Sequence, residues 1–156
     1  MVWLGLKHED VTERVIKTFY DVYNELGHGF LESVYQESMA IVLREAGFLV
    51  ERQKPIPVYF RKKKVGVFFA NLVVDEIVVL ELKVARTIER IHEAQLRHYL
   101  KATDMEIGLL LNFGEHPQFR RVFLDNEHKR LRGTPTEPIS GFPKMIRRNS
   151  SDPSNP

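Results

Sequence analysis

Residues 77–83 read Ile77-Val78-Val79-Leu80-Glu81-Leu82-Lys83, an apolar run that ends in an acid and a lysine. On a strand, side chains two positions apart share a face and lie roughly 7 Å apart. Glu81 and Lys83 therefore set a carboxylate beside a cation among apolar neighbours. Charge is expensive to bury there, and purely structural strands rarely carry it. A surface ion pair at a strand end is the plain alternative, and the rest of the chain decides between the two.

Upstream, Asp75-Glu76 reads as a tight turn without the usual glycine, and Val67 to Val74 as the preceding strand. Pairing about that turn brings Asn71 across from Glu81. The basic run Arg61 to Lys64, with Gly66, marks a hairpin tip. It is foremost a solvated tip, and its second reading is a phosphate contact. Phe48 to Gln53 reads as a first strand, which Pro55 and Pro57 interrupt.

Further back the apolar spacing is helical. Asp10 and Glu13 have the spacing of a capping box. Val11, Val15, Phe19, Val22 and Leu26 follow at helical intervals, up to Gly27 and Gly29. A second helix is expected over 31–46, with Val34, Met39, Val42 and Leu43 inward and Gly47 as its stop. Glu32 falls in its first turn, where the helix dipole favours an acid, and Tyr35 follows one turn later.

Downstream, helical spacing returns over 88–102, with Ile91, Ala94, Leu96 and Tyr99 as its apolar positions. Gln95 and Tyr99 lie on one face of that helix. Ile107 to Asn112 is a buried-strand run and Phe119 to Leu124 an edge strand. The order is α-α-β-β-β-α-β-β, an α/β chain with a mixed sheet. One domain is expected over 1–128 and a disordered, Pro- and Ser-rich tail over 129–156.

Composition narrows the chemistry. The 156 residues suffice for one domain with a real core, and the net charge of +2 permits nucleic-acid binding without arguing for it. The absence of cysteine excludes disulfides, thiolate zinc sites and cysteine nucleophiles. No run approaches the ~20 apolar residues of a membrane span. The cytoplasm is the expected setting, and the six histidines show no ligand spacing.

Taken together, Gly29-x-x-Glu32-x-x-Tyr35, Glu81-x-Lys83 and Gln95-x-x-x-Tyr99 resemble the GxxExxY proteins, a branch of the PD-(D/E)XK nuclease superfamily with RecB-like features. The likeness covers roughly residues 10–124. It implies a restriction-endonuclease-like core and cleavage of DNA with magnesium, manganese being the alternative ion. It further implies Glu32, Glu81 and the Leu82 carbonyl as metal ligands, Lys83 as the group that orients water or stabilises charge, and Gln95 and Tyr99 as DNA contacts or supports. Homodimers are common among nucleases that cut both strands, and RNA is the alternative substrate.

One segment departs from that family, and both of its changes, at Phe69 and Asn71, remove charge. An Arg-Ala-Asp-Leu setting is replaced by Phe69-Ala70-Asn71-Leu72. Asn71 stands where a metal-binding aspartate is expected, and its amide oxygen carries no formal charge. Weak or absent cleavage is the expectation. The second reading is a non-catalytic nucleic-acid-binding or protein-interaction module on the same fold.

Overall fold

The computed structural model describes residues 8–131. Two helices come first, α1 (Glu9–Leu26) and α2 (Glu32–Glu45). Three strands follow, β1 (Val50–Phe60), β2 (Lys63–Val74) and β3 (Val78–Lys83). Helix α3 (Arg90–Ala102) leads to β4 (Ile107–Asn112), β5 (Gln118–Phe123) and a short α4 (Asn126–Leu131). The strands form one mixed sheet in the order β1-β2-β3-β4-β5. Pairs are antiparallel except β3–β4, whose parallel register needs the crossover that α3 supplies.

Apolar side chains divide over the two sheet faces by strand alternation. Val15, Phe19, Tyr35, Met39 and Leu43 of α1 and α2 close over Leu72, Leu80, Leu82, Leu109 and Leu111. On the other face, Leu96, Tyr99 and Leu100 of α3 cover Ala70, Val73, Val79 and Leu110. The middle of the sheet is thus covered on both sides, which is why β3 and β4 read as continuous apolar runs.

Several local expectations are corrected. The cap of α1 is His8 in a left-handed conformation (φ 56°), with no side-chain cap bond, and Asp10 lies in the first turn. Val34 and Ile91 point outward, 36% and 55% exposed, because the inward stripes run through Tyr35, Met39 and Leu43 and through Leu96, Tyr99 and Leu100. Pro55 and Pro57 lie within β1 and do not end it, although its register with β2 shifts just beyond them, between Val58 and Tyr59. It is the edge strand of the sheet, where a missing N–H costs no ladder bond.

Helix α4 carries regular structure three residues beyond the expected domain end at 128. Lys129 is buried there, its ammonium donating to the Thr103 and Met105 carbonyls at 2.8 Å each. Those bonds tie α4 to the α3–β4 connection. The rest of the expected tail, 132–156, lies outside the described residues.

Candidate active site

The β2–β3 ladder ends at the Leu72–Leu80 pair. Beyond it a side chain takes the place of a backbone partner: Asn71 Oδ1 accepts the Leu82 N–H at 2.9 Å. In an antiparallel strand the N–H and C=O of one residue point to the same side. The Leu82 carbonyl is therefore also turned toward the opening between the two strands. Asn71 Nδ2 donates to Gln36 Oε1 at 2.8 Å, and Gln53 Nε2 donates to the same oxygen at 2.7 Å. Asn71, Gln36 and Glu81 are all buried.

Glu81 is 6% exposed, and its Oε1 has no hydrogen-bond partner. Its carboxyl is pushed up to about 7, chiefly by burial. The Lys83 ammonium opposes that rise, the charge of Glu32 adds to it, and the Asn71 backbone N–H opposes it. Lys83 Nζ stands 3.7 Å from Glu81 Oε2, an ion pair rather than a hydrogen bond. The fold thus lets the charge of Glu32 act on Glu81 although 48 residues separate them.

The segment around Glu32 is held by the motif residues that flank it. Gly29 has φ 113°, a region that side chains disfavour. The Tyr35 hydroxyl donates to the Gly27 carbonyl at 2.6 Å and accepts the Phe30 N–H at 3.3 Å. Its ring is fully buried and stacks on Phe113, centroids 4.3 Å apart. Gly29 lets the chain turn, Tyr35 clamps the turn, and Glu32 begins the helix beside it.

The end of β3 is held just as firmly. Asn112, fully buried, accepts the Ala85 N–H and donates to the Ala85 carbonyl, both at 2.9 Å. A Cβ on Gly114 would collide with the same carbonyl. The backbone just after Lys83 therefore has one path. On α3, Tyr99 is buried and its hydroxyl donates to the Phe69 carbonyl at 3.2 Å. Burial and the nearby Glu81 raise its phenol well above the usual range. Tyr99 thus holds β2 in place from within the core, and Gln95 is half-buried one turn earlier.

Sequence reasoning missed Gln36, Gln53 and Asn112. Gln36 had a signal, since it follows Glu32 by four and shares its helix face. Among the described residues, no group of three or more His, Cys, Asp or Glu gathers as a metal site. The charge of Glu32 acts on the buried Glu81, and the carbonyl of Leu82 adjoins Glu81 along β3. In kind these donors suit a hard divalent cation, and the unpartnered Glu81 oxygen is a group that such an ion would satisfy. Asn71 beside them offers an amide and no charge.

No helix among the described residues is long and apolar enough to cross a membrane. No curated protein matches the chain. Two solved structures are similar to it at low identity. One is the SSO0001 protein, 16% identical, with TM-score 0.46, covering 93% of this chain and 67% of the other. The second is an alkaline exonuclease from Laribacter hongkongensis, 9% identical, with TM-score 0.46, covering 94% and 79%. The model of the PD-(D/E)XK nuclease superfamily matches residues 9–122, from the first helix to the last strand. That span contains the mixed sheet, the buried Glu81 with its neighbour Lys83, and Glu32, and the chain belongs to the PD-(D/E)XK nuclease superfamily.

Proposed function

We propose that this chain is a DNA-binding protein of the nuclease type, in its GxxExxY branch, that takes Mg²⁺ on Glu32, Glu81 and the Leu82 carbonyl. We further propose that it hydrolyses phosphodiesters weakly or not at all with Asn71 in place. The observation that carries the reading is Glu81: a buried carboxylate with an unpartnered oxygen, a second acid acting on it and an ammonium at 3.7 Å. A bound divalent ion would supply water activation and neutralise charge developing at phosphorus. Mn²⁺ would serve the same donors.

The chain's own groups have separate tasks. Lys83 stands at the edge of the site, its side chain 25% exposed. It would orient the attacking water or hold a phosphate oxygen. Gln95 would contact the nucleic acid from α3, and Tyr99 would position β2. Asn71 supplies no charge to draw a cation or a proton. A single domain in the cytoplasm carries the site, with DNA as the preferred substrate over RNA.

A second reading has its own support. Both ends of the Asn71 amide are already used, on the Leu82 N–H and on Gln36. That suits a structural asparagine in a non-catalytic nucleic-acid-binding module. Asn71→Asp separates the two. The nuclease reading expects Mg²⁺-dependent cleavage of plasmid DNA to rise at least tenfold, a barrier lower by about 1.4 kcal/mol. A variant that folds and binds Mg²⁺ and DNA but stays inert would leave the binding module as the better account.

A further inference from the structure

The outer half of the β1–β2 hairpin takes no part in the site. Strand β3 pairs with Leu72, Val73 and Val74 of β2 alone. Toward the tip β2 pairs only with β1. The Ile56–Phe68 pair is the last packed against the α3 side. Beyond it the two strands project as an arm with both edges open. Val58, Phe60, Val65 and Val67 are exposed along it, Phe60 by 61%.

Charge is concentrated on this arm. Residues 57–67 hold four basic residues and no acidic one, giving +4, whereas the whole chain is +2 and the remainder therefore −2. The four cations, Arg61 to Lys64, are consecutive at the tip. Among the described residues none of them has an ion-pair partner. Arg61 and Lys62 form the turn itself, at φ 52° and 66°. Asn-Gly is the favoured pair for such a turn, so two cations occupy positions where turn chemistry alone would not place them. The Arg61 guanidinium lies 5.2 Å over the exposed Phe60 ring, an arrangement suited to sugar and base contact as well as to phosphate.

We propose that this arm is a second nucleic-acid contact, its tip cations seated on the phosphate backbone away from the Glu81 site. The proposal rests on the DNA-binding reading above. Lys63 and Asn71 stand eight positions apart on β2, roughly 26 Å, or about eight base pairs of duplex. A groove of duplex DNA admits a two-stranded ribbon, and the polyanion matches the only strongly cationic stretch among the described residues.

The test uses a labelled 24-base-pair duplex, fluorescence anisotropy and potassium chloride from 50 to 200 mM. Three proteins are compared: the full chain, the arm variant Arg61→Asn/Lys62→Gly/Lys63→Gln/Lys64→Gln, and Arg90→Gln/Arg97→Gln/Lys101→Gln on the outer face of α3. The arm variant carries a favoured turn pair, so its melting temperature should hold or rise. It is expected to lose at least tenfold in affinity at 100 mM salt. Its slope of log affinity against log salt should fall by about 2–4, close to one for each phosphate that is no longer neutralised. The α3 variant should keep the parent slope. A folded arm variant with the parent's affinity and slope overturns the arm and leaves the Glu81 reading standing. Equal losses in both variants also overturn it, since net charge alone would then explain binding. A parent chain that binds no duplex at 50 mM salt overturns the arm and the DNA-binding reading together.

Discussion

Strand β2 is turned at both ends by the same backbone conformation and by opposite chemistry. At its base, Asp75 and Glu76 adopt φ 53° and 56°, and at its tip Arg61 and Lys62 adopt 52° and 66°. The base turn is tied into the fold. Asp75 Oδ1 accepts the Leu49 N–H and the Asp75 N–H donates to the Leu49 carbonyl, both at 2.8 Å. The tip turn has one ring contact, between Arg61 and Phe60. Burial follows the same division: β2 alternates between exposed and half-buried positions from Lys63 to Phe69 and is buried without a break from Ala70 to Val74. One strand thus serves as scaffold at one end and as surface at the other. The candidate site lies on the scaffold side of that transition, which suits a group that must be held still.

The largest test of this division is Leu72→Ala at the buried end. It removes a fully buried side chain and should cost about 2–5 kcal/mol in denaturant unfolding. Val67→Ala on the arm, 38% exposed in the parent, should change stability by no more than about 0.5 kcal/mol. Comparable losses at both positions would mean that the arm is packed and the division is wrong.

Next in size is Glu81→Gln, measured without divalent metal. With its carboxyl raised to about 7 from an ordinary 4.5, the group is protonated in both folded and unfolded chains at low pH and costs nothing there. Between those two values the unfolded chain ionises first. Stability therefore falls as pH rises, and the full cost, about 3 kcal/mol, applies above pH 7. Glu81→Gln should remove that fall, leaving stability at pH 4 unchanged and raising it at pH 8. A parent melting temperature that is flat from pH 5 to pH 8 would contradict the burial of this charge.

A smaller effect is expected at the base turn. Asp75→Ala loses the bond to the Leu49 N–H and a residue tolerant of positive φ, a loss of about 1–2 kcal/mol. At the tip, Arg61→Asn/Lys62→Gly should stabilise by up to about 1 kcal/mol, because it supplies the favoured turn pair and gives up only the exposed Arg61–Phe60 ring contact. Thermal melts of the two variants should move in opposite directions. Shifts of the same sign would show that the tip turn has a structural role of its own.

Much of this was legible along the chain. Helical spacing located α1, α2 and α3, and apolar runs located β3 and β4, because periodicity directly reports which faces are buried. The turn at Asp75-Glu76 was legible without a glycine because two strand patterns flank it. β1 was less so. Pro55 and Pro57 signal a break only when a strand is central, and nothing local reveals that this one is an edge. Gln36 and Gln53 escaped notice because an amide carries no charge and no fixed spacing. Their partner, Asn71, reaches them from another element.

By itself the sequence determined the element order, the placement of Glu32, Glu81 and Lys83 on their elements, and the amide at position 71. Each is a property of local spacing or of a single residue. Tertiary structure alone decided that Glu32 acts on Glu81, that Glu81 is buried with an unpartnered oxygen, and that Asn71 holds the Leu82 N–H where the ladder ends. It also decided that four cations stand on a projecting arm. The physical reason is common to all four: desolvation, repulsion and hydrogen bonding depend on distance through space, and only the packed sheet sets those distances.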